Sequence, residues 1–558
     1  MACRVARSDA VSLSRTLLYA GAVLFFALFF FVPIAGVYVE AFRDVPFTTV
    51  LSRIGGILGS ARTMNIVGFT TGQAALSSLL GVLAALPLAY MVSHYTFPGK
   101  RLVYSLSLVP FILPSIVVVV CMISFYGKSG LLNTILGTDY NLVYNFRGIV
   151  LAHVFYNFSL AIRIISTAWH SIDRRYREAA ETLGERPLGL FVRVTLPLLA
   201  PAIFSAFILI FIYTFLSFGI ILVFGGVRFA TLEVAIYQEI FINLDLVSAA
   251  VFSMLQLALS LGFVAVSTRA INATRSARSG IGRDLPSLGT APPVARIVMG
   301  AYGIAAVVFV LGPILTMFGR ALTDADGVLS FESFRQLLVP GAADRNVEGI
   351  LRSTVSGVIF RSVGIAGASG TIIFLMAAAL ALTLRGSRRP AFENFLQIPI
   401  GMSFVTVSLG LRFVWGATIP PAALVVMGQF FVGFPLVFRI LRTGVEELGD
   451  GMVRSAQILG ARRWAVLRDI EVPLLRRTLL NAYAYALALP FADLTVVLAA
   501  GRGRIATFPV AIYRLIGFRS FDLALALAAI YIVICLGLFL VIDATSMRAP
   551  APVPKRAS

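Results

Sequence analysis

Charge is scarce in this chain. Only 13% of its 558 residues are Asp, Glu, Lys or Arg, while 59% are apolar. Soluble domains carry about 25% charged residues, and surface-to-volume scaling leaves no interior large enough to hide this much apolar surface. A soluble fold is excluded. Cysteine is scarcer still: Cys3, Cys121 and Cys535 lie far apart, the last two inside apolar runs. That spacing excludes a disulfide framework or cysteine metal site and reads as small buried hydrophobes. Histidine occurs at His94, His153 and His170 only, each isolated, so neither a Ser-His-Asp arrangement nor a metal-spaced cluster is present. A phosphate-binding loop is lacking too. Its nearest likeness, Gly127-Lys128-Ser129, has Met122 where the first glycine is required. Nothing here makes an enzyme.

What the chain has in abundance is long apolar runs. A spanning helix needs roughly 20 mostly apolar residues. That ruler predicts twelve, near 17–42, 66–92, 102–125, 148–168, 198–225, 247–268, 295–318, 353–384, 394–417, 420–441, 478–499 and 523–543. The runs are continuous, so helices rather than a closed barrel are expected. The first follows Arg4, Arg7 and Arg15 but is too long for a signal peptide and contains Pro33. It reads as an uncleaved first helix.

The formal charge of +20 is almost all arginine, Lys100, Lys128 and Lys555 being the only lysines. The basic segments 94–101, 169–197, 269–296, 385–393 and 439–477 fall on one side if the spans alternate, and 226–246 and 319–352 opposite them are net acidic. Loops 43–62 and 500–522 are basic yet fall on the acidic side. In aggregate the bias puts both termini in the cytoplasm, and topology rather than nucleic-acid binding accounts for the charge.

The chain also repeats itself. At a shift of 276 residues, Phe155, Phe158 and Arg163 meet Phe431, Phe434 and Arg439, Leu183-Gly184 meets Leu459-Gly460, Pro197-Leu198 meets Pro473-Leu474, and Gly225 meets Gly501. Thr231-Leu-Glu-Val-Ala-Ile-Tyr237 meets Thr507-Phe-Pro-Val-Ala-Ile-Tyr513. Upstream the offset becomes 289, pairing Pro110 with Pro399 and leaving 13 extra residues near Gly127–Arg147. Two parallel six-helix halves follow, an organisation that places a path between repeats. The expected divisions are a tail, first helix and outer loop (1–64), a first repeat domain (65–268), a linker, seventh helix and outer loop (269–352), a second repeat domain (353–545) and a tail (546–558).

Each half carries one long cytoplasmic loop between its fourth and fifth helices. The first reads Arg177-Glu-Ala-Ala-Glu-Thr-Leu-Gly184 and then Arg193-Val-Thr-Leu-Pro197; the second reads Arg454-Ser-Ala-Gln-Ile-Leu-Gly460 and then Asp469-Ile-Glu-Val-Pro473. Glycine precedes proline by 13 residues in both. The pattern predicts a short amphipathic helix ending at a left-handed glycine cap, then a second helix, with proline where the next membrane helix starts. Small residues at Ala179, Ala180, Ser455 and Ala456 let such a helix approach another protein's backbone.

These loops resemble those of the integral-membrane permeases of bacterial ATP-binding-cassette importers, whose signature is Glu-Ala-Ala, three residues, Gly, and a hydrophobic-Pro ending. The resemblance covers nearly the whole chain as two fused permease domains. It implies an all-α integral membrane protein of about twelve transmembrane helices in two parallel repeats, the type I importer permease. It also implies docking of the loop helices on separate ATPase subunits, through Glu178, Ala179, Ala180, Gly184 and Pro197 in the first half and Ser455, Ala456, Gly460 and Pro473 in the second. Arg454 stands where the second copy would have the glutamate, which puts equal coupling by the two halves in question. The implied assembly is this chain in the bacterial inner membrane with lipid around it, two ATPase subunits holding the ATP and magnesium, and one extracytoplasmic substrate-binding protein. This chain itself would hold no cofactor.

Fused thiamine and iron(III) permeases are the relatives to separate. Gly148-Ile-Val-Leu-Ala-His-Val-Phe-Tyr-Asn157, Ala230-Thr-Leu-Glu-Val-Ala-Ile-Tyr-Gln238 and Ile516-Gly-Phe-Arg-Ser-Phe-Asp522 resemble the thiamine branch more. Both cargoes are cations. Asp493, in the eleventh span after Pro490 and paired by the repeat with Ser217, is either a path residue or a structural partner of an arginine or freed backbone group. His153 and Asn157 share one helix face and either line the path or bond between helices. Tyr237 and Tyr513 sit on short outer segments, near a docked binding protein or as interfacial anchors. An ion-coupled secondary transporter is the rival class; it would need several charged residues inside its spans, where Asp493 nearly stands alone.

Overall fold

The computed structural model describes residues 16–106, 110, 113–226, 228–273, 285–324, 327–339, 345–385, 389–448 and 451–547. Cys3, the centre of the polar linker and the last residues of the tail lie outside them. The described residues form helices, turns and two isolated bridges, with no strand. Among them nine helices are long and apolar enough to cross a membrane, and the pair Pro390–Gly401 and Phe404–Trp415, bent by 95°, makes a tenth. The two remaining expected spans correspond to helices Val472–Ala492 and Phe521–Met547. The fold is all-α and multi-pass.

Four expected spans are not continuous. The span 102–125 breaks at 113–114, before Ser115–Tyr126, 198–225 stops at Phe215 and resumes as Gly219–Phe224, 394–417 breaks after Gly401, and 478–499 breaks after Ala492 and resumes as Thr495–Ala500. Pro114 caps one restart, Pro399 lies in the 3₁₀ turn before another, and Pro490 stands three residues before Asp493. A proline withholds the backbone donor a continuous helix needs. The breaks obey the repeat: 113–114 answers 402–403 at offset 289, and 217–218 answers 493–494 at offset 276. Asp493, expected inside a helix, instead sits at a helix break.

The described chain forms two compact units. One comprises Val45–Gln336 with Arg519–Ala529, and the other Met1–Asp44, Leu337–Phe518 and Ile530–Ser558. The first helix, Thr16–Phe42, therefore belongs with helices of the second repeat, and Pro293–Ala321 with those of the first.

In the unit built on the first repeat, helix Ala61–His94 presents Val82, Ala85, Ala89 and Val92 at three- and four-residue spacing to Phe158, Ile162, Ile165 and Trp169 of Phe146–Ser171. Small side chains on that face let the two helices close together, and the aromatic and branched residues opposite fill the seam. Ala306 and Val310 of Pro293–Ala321 complete the cluster. In the other unit Phe26 and Phe30 of the first helix pack on Phe431, Phe26 also on Phe434. The first helix also comes so close to Phe404–Trp415 that a Cβ on Gly410 would lie 2.3 Å from the carbonyl oxygen of Pro33. Only glycine fits there.

Candidate functional site

The two loops between the fourth and fifth helices of each repeat fold alike over their described residues. Helix Arg174–Thr182 starts at Asp173, whose carboxylate accepts the Arg175 amide, and helix Gly451–Ile458 is its counterpart. Both helices end in the same cap. Gly184 and Gly460 take φ of +82° and +86°. The Gly184 and Glu185 amides donate to Glu181 and Ala180, and those of Gly460 and Ala461 to Gln457 and Ala456. These are the paired bonds of a Schellman cap, and they require the left-handed residue the sequence supplies as glycine.

The segment that follows differs from expectation. Pro197 does not begin a separate membrane helix; Pro187–Phe215 is a single run. It passes through a π turn at Phe191–Thr195, and the second loop has the same turn at Leu467–Glu471. Proline at 197 or 473 cannot bond the carbonyl four residues back and crowds it, and the wider turn relieves both problems.

Of the small residues, Ala179 and its counterpart Ser455 are exposed, whereas Ala180 is buried and Ala456 half-buried. One of each pair thus faces outward and the other helps seat the helix. Glu178 is exposed, and Arg177 beside it donates to Glu181 at 2.7 Å, a bond that raises the guanidinium pKa. The sequence reading missed the apolar tips: Leu183 and its repeat counterpart Leu459 are 85% and 87% exposed, and Leu188 and its counterpart Trp464 are exposed as well. Large apolar side chains standing out of a polar loop mark an interaction surface. The second loop is also held by buried ion pairs, where the first has the part-exposed pair Arg193–Glu185. Arg385 and Glu471, both largely buried, pair at 2.6 Å, and Arg442 pairs with Glu393 at 2.9 Å. At the equivalent positions of the first repeat stand Thr195 for Glu471 and Ser166 for Arg442.

The membrane-depth candidates come together in a second repeated arrangement. In the first repeat His153 Nε2 and Ser217 Oγ are 2.8 Å apart, joining the middle of one helix to the break in the next. In the second, Gln429 Nε2 donates to Asp493 Oδ2 at 3.2 Å. Offset 276 takes His153 to Gln429 and Ser217 to Asp493, so these are one bridge made with two chemistries. Gln429 was missed as a site residue; applying the offset to His153 finds it. Around the first bridge Asn157 donates to His153 O and Thr214 Oγ1, and Gln73 to Thr214 O, while Asn157 Oδ1 and Gln73 Oε1 are buried without a hydrogen-bond partner. Around the second, Ser369 donates to Gln429 Oε1, Gln429 to Pro490 O, and the Val496 amide to Asp493 Oδ1. Asp493 thus caps the helix after the break by accepting one of its free amides, while Gln429 serves the Pro490 carbonyl. Among the described residues it has no arginine or lysine in ion-pair range.

The paired Thr-x-x-Val-Ala-Ile-Tyr segments form short helices, Leu232–Gln238 and Phe508–Gly517. Tyr237 is half-buried with its ring against Phe218 and Phe241, and Tyr513 is half-buried. Each helix is tied inward by its first amide: Leu232 N donates to Thr70 Oγ1, and its counterpart Phe508 N to Ser362 Oγ. Glu233, also missed, is buried and accepts from Gln256 at 2.6 Å. No composition signal separates it from an exposed loop acid.

Residues 77–276 match the family described as binding-protein-dependent transport system inner membrane component. Over 499 residues the chain is 29% identical to the thiamine transport system permease protein of Escherichia coli (strain K12), covering 86% of this chain and 88% of that one. It is 27% identical to the corresponding protein of Brucella abortus (strain 2308), with coverage of 86% and 87%, and 27% identical to that of Haemophilus influenzae, with coverage of 84% and 86%. These relatives are permeases and match across both repeats. The chain is thus similar over most of its length, across both repeats, to permease proteins of thiamine transport systems, and over residues 77–276 to the inner membrane component of binding-protein-dependent transport systems.

Proposed function

We propose that this chain forms the membrane pathway of an ATP-driven importer for thiamine. The observation that carries the importer reading is the pair of cytoplasmic loops with the same cap, the same π turn and the same exposed leucine. One such loop is an ordinary helix end; two at equivalent places are a pair of handles for a dimeric motor. Two ATP-binding-cassette subunits, holding ATP and magnesium, grip them through Glu178, Ala179, Gly184, Ser455 and Gly460. Cargo arrives from an extracytoplasmic binding protein on the side of Tyr237 and Tyr513, and both termini are cytoplasmic.

Thiamine is favoured over iron(III) by relatives that are thiamine permeases over most of their length. The bridges His153–Ser217 and Gln429–Asp493 lie at helix breaks, where discontinuous helices of transporters place their substrate contacts. They carry one carboxylate, suited to an organic cation in passage, with Asn157 offering a spare acceptor. The test is ATPase activity of the reconstituted complex with its motor and binding protein, given thiamine and iron(III) in turn. Stimulation by thiamine alone is expected. Stimulation by iron(III) alone overturns the substrate, and assembly without any ATPase overturns the importer reading.

A further inference from the structure

A crevice of about 650 Å³ opens in the unit built on the first repeat, among helices Ala61–His94, Phe146–Ser171 and Pro293–Ala321. This is within the usual size of a small-molecule site, but its chemistry is one-sided. Leu80 and Leu83 line it from Ala61–His94 and Phe309 from Pro293–Ala321, and Phe158 is the lining residue farthest from Arg147 along Phe146–Ser171. Tyr302 also lines it, yet its hydroxyl is spent on the carbonyl of Ala84, so it offers the crevice only its ring. The single charged lining residue is Arg147, exposed at the start of its helix and without an ion-pair partner among the described residues. A polar solute finds nothing to bond below the mouth.

The dimensions are those of one membrane leaflet. From Arg147 to Phe158 the helix climbs about 16 Å at 1.5 Å per residue, close to half of the roughly 30 Å hydrocarbon core. The crevice thus starts at a cation where headgroups lie and ends, apolar throughout, near the midplane. Arginine at a helix end reaches into the interface and pairs with phosphate in a forked geometry.

We propose that this crevice holds one acyl chain of an anionic phospholipid, whose phosphate pairs with Arg147 and whose chain lies along Leu80, Leu83 and Phe309 down to Phe158. The site is independent of the transported cargo. Its test uses the intact chain in lipid nanodiscs containing phosphatidylglycerol and phosphatidylcholine, transferred to detergent and weighed by native mass spectrometry. One retained phosphatidylglycerol per chain is expected, at least 10-fold over phosphatidylcholine. Arg147→Gln, an exposed change, abolishes that preference, while Ala305→Trp and Leu80→Trp, each filling the crevice, remove retained lipid of both kinds. Retention of phosphatidylglycerol by Arg147→Gln at the unsubstituted level, retention of lipid by a folded crevice-filling variant, or no retained lipid at all overturns the proposal.

Discussion

Asp493 does two things at once, and the two are separable by substitution. Its Oδ1 caps a helix restart and its Oδ2 takes a hydrogen bond from Gln429; an amide in its place keeps one acceptor, enough for the cap but not for the Gln429 bond as well. Asp493→Asn is therefore expected to keep the cap, to fold with a small loss of thermal stability from the Gln429 bond, and to transport a cationic cargo about tenfold more slowly, which is what ~1.4 kcal/mol of lost attraction amounts to. Asp493→Leu additionally loses the cap, worth about 1 kcal/mol, and lowers the thermal midpoint. Uptake into proteoliposomes and a melting curve read the two effects apart. Normal uptake by Asp493→Asn would reduce the residue to a cap. The glycine caps give a second residue-level test. At φ +82° and +86°, with open space around the missing Cβ, Gly184→Ala and Gly460→Ala meet only backbone strain, about 1 kcal/mol. Weaker ATPase retention in pull-downs is expected, and Gly184→Asn should recover most of it because asparagine tolerates the left-handed region.

At the scale of elements, the two loops share a shape and differ in how they are held. Arg385 on one side and Glu471 on the other clamp the base of the second loop, and the first loop has no such buried pair among the described residues. Arg385→Ala leaves Glu471 buried without its partner, a loss of about 3–5 kcal/mol for a buried pair, and should lower thermal stability more than any change at Thr195. Arg385→Glu combined with Glu471→Arg should regain part of it. A cysteine crosslink from Ser455 to the ATPase should weaken in Arg385→Ala while one from Ala179 does not; equal weakening would count against separate anchoring. The sequence made the elements legible because each signal was local: an apolar run, a glycine after a short helix, one offset kept across a repeat. The breaks were less legible. A proline within an apolar run is compatible with a kinked continuous helix, and only packing decided that Pro490 is followed by a full stop at Asp493. Ala180 is the same lesson in reverse, since its small size suited an exposed docking face and the fold turned it inward. The bridge partner Gln429 was readable from the repeat, whereas Glu233 and the Arg385–Glu471 pair depend on which ends of distant segments meet.

At the scale of the molecule, the repeat boundary and the packing boundary do not coincide. The first helix counts with the second repeat and Pro293–Ala321 with the first. A fragment of residues 65–268 therefore lacks a helix its unit needs and should be unstable in membranes. Halves cut between residues 273 and 285 and co-expressed should instead restore each other, with transport as the measure. Stable insertion of 65–268 alone, resistant to proteolysis, would show that the helix of the other half is dispensable.

The separation of Leu28 from Trp415, whose indole donates to its carbonyl across 387 positions of sequence, also sets a schedule. At roughly 5–20 residues per second on the ribosome, the first helix enters the bilayer tens of seconds before the helix against which Gly410 lets it lie exists. For that interval the aromatic partners it packs on in the fold are absent. The aromatic ridge of Phe25, Phe26 and Phe30 must then be both a surface that lipid tolerates and a surface that Phe430 and Phe431 later claim. Synthesis and assembly are thus separate events for this chain, and the membrane stores the first piece until the last quarter is made.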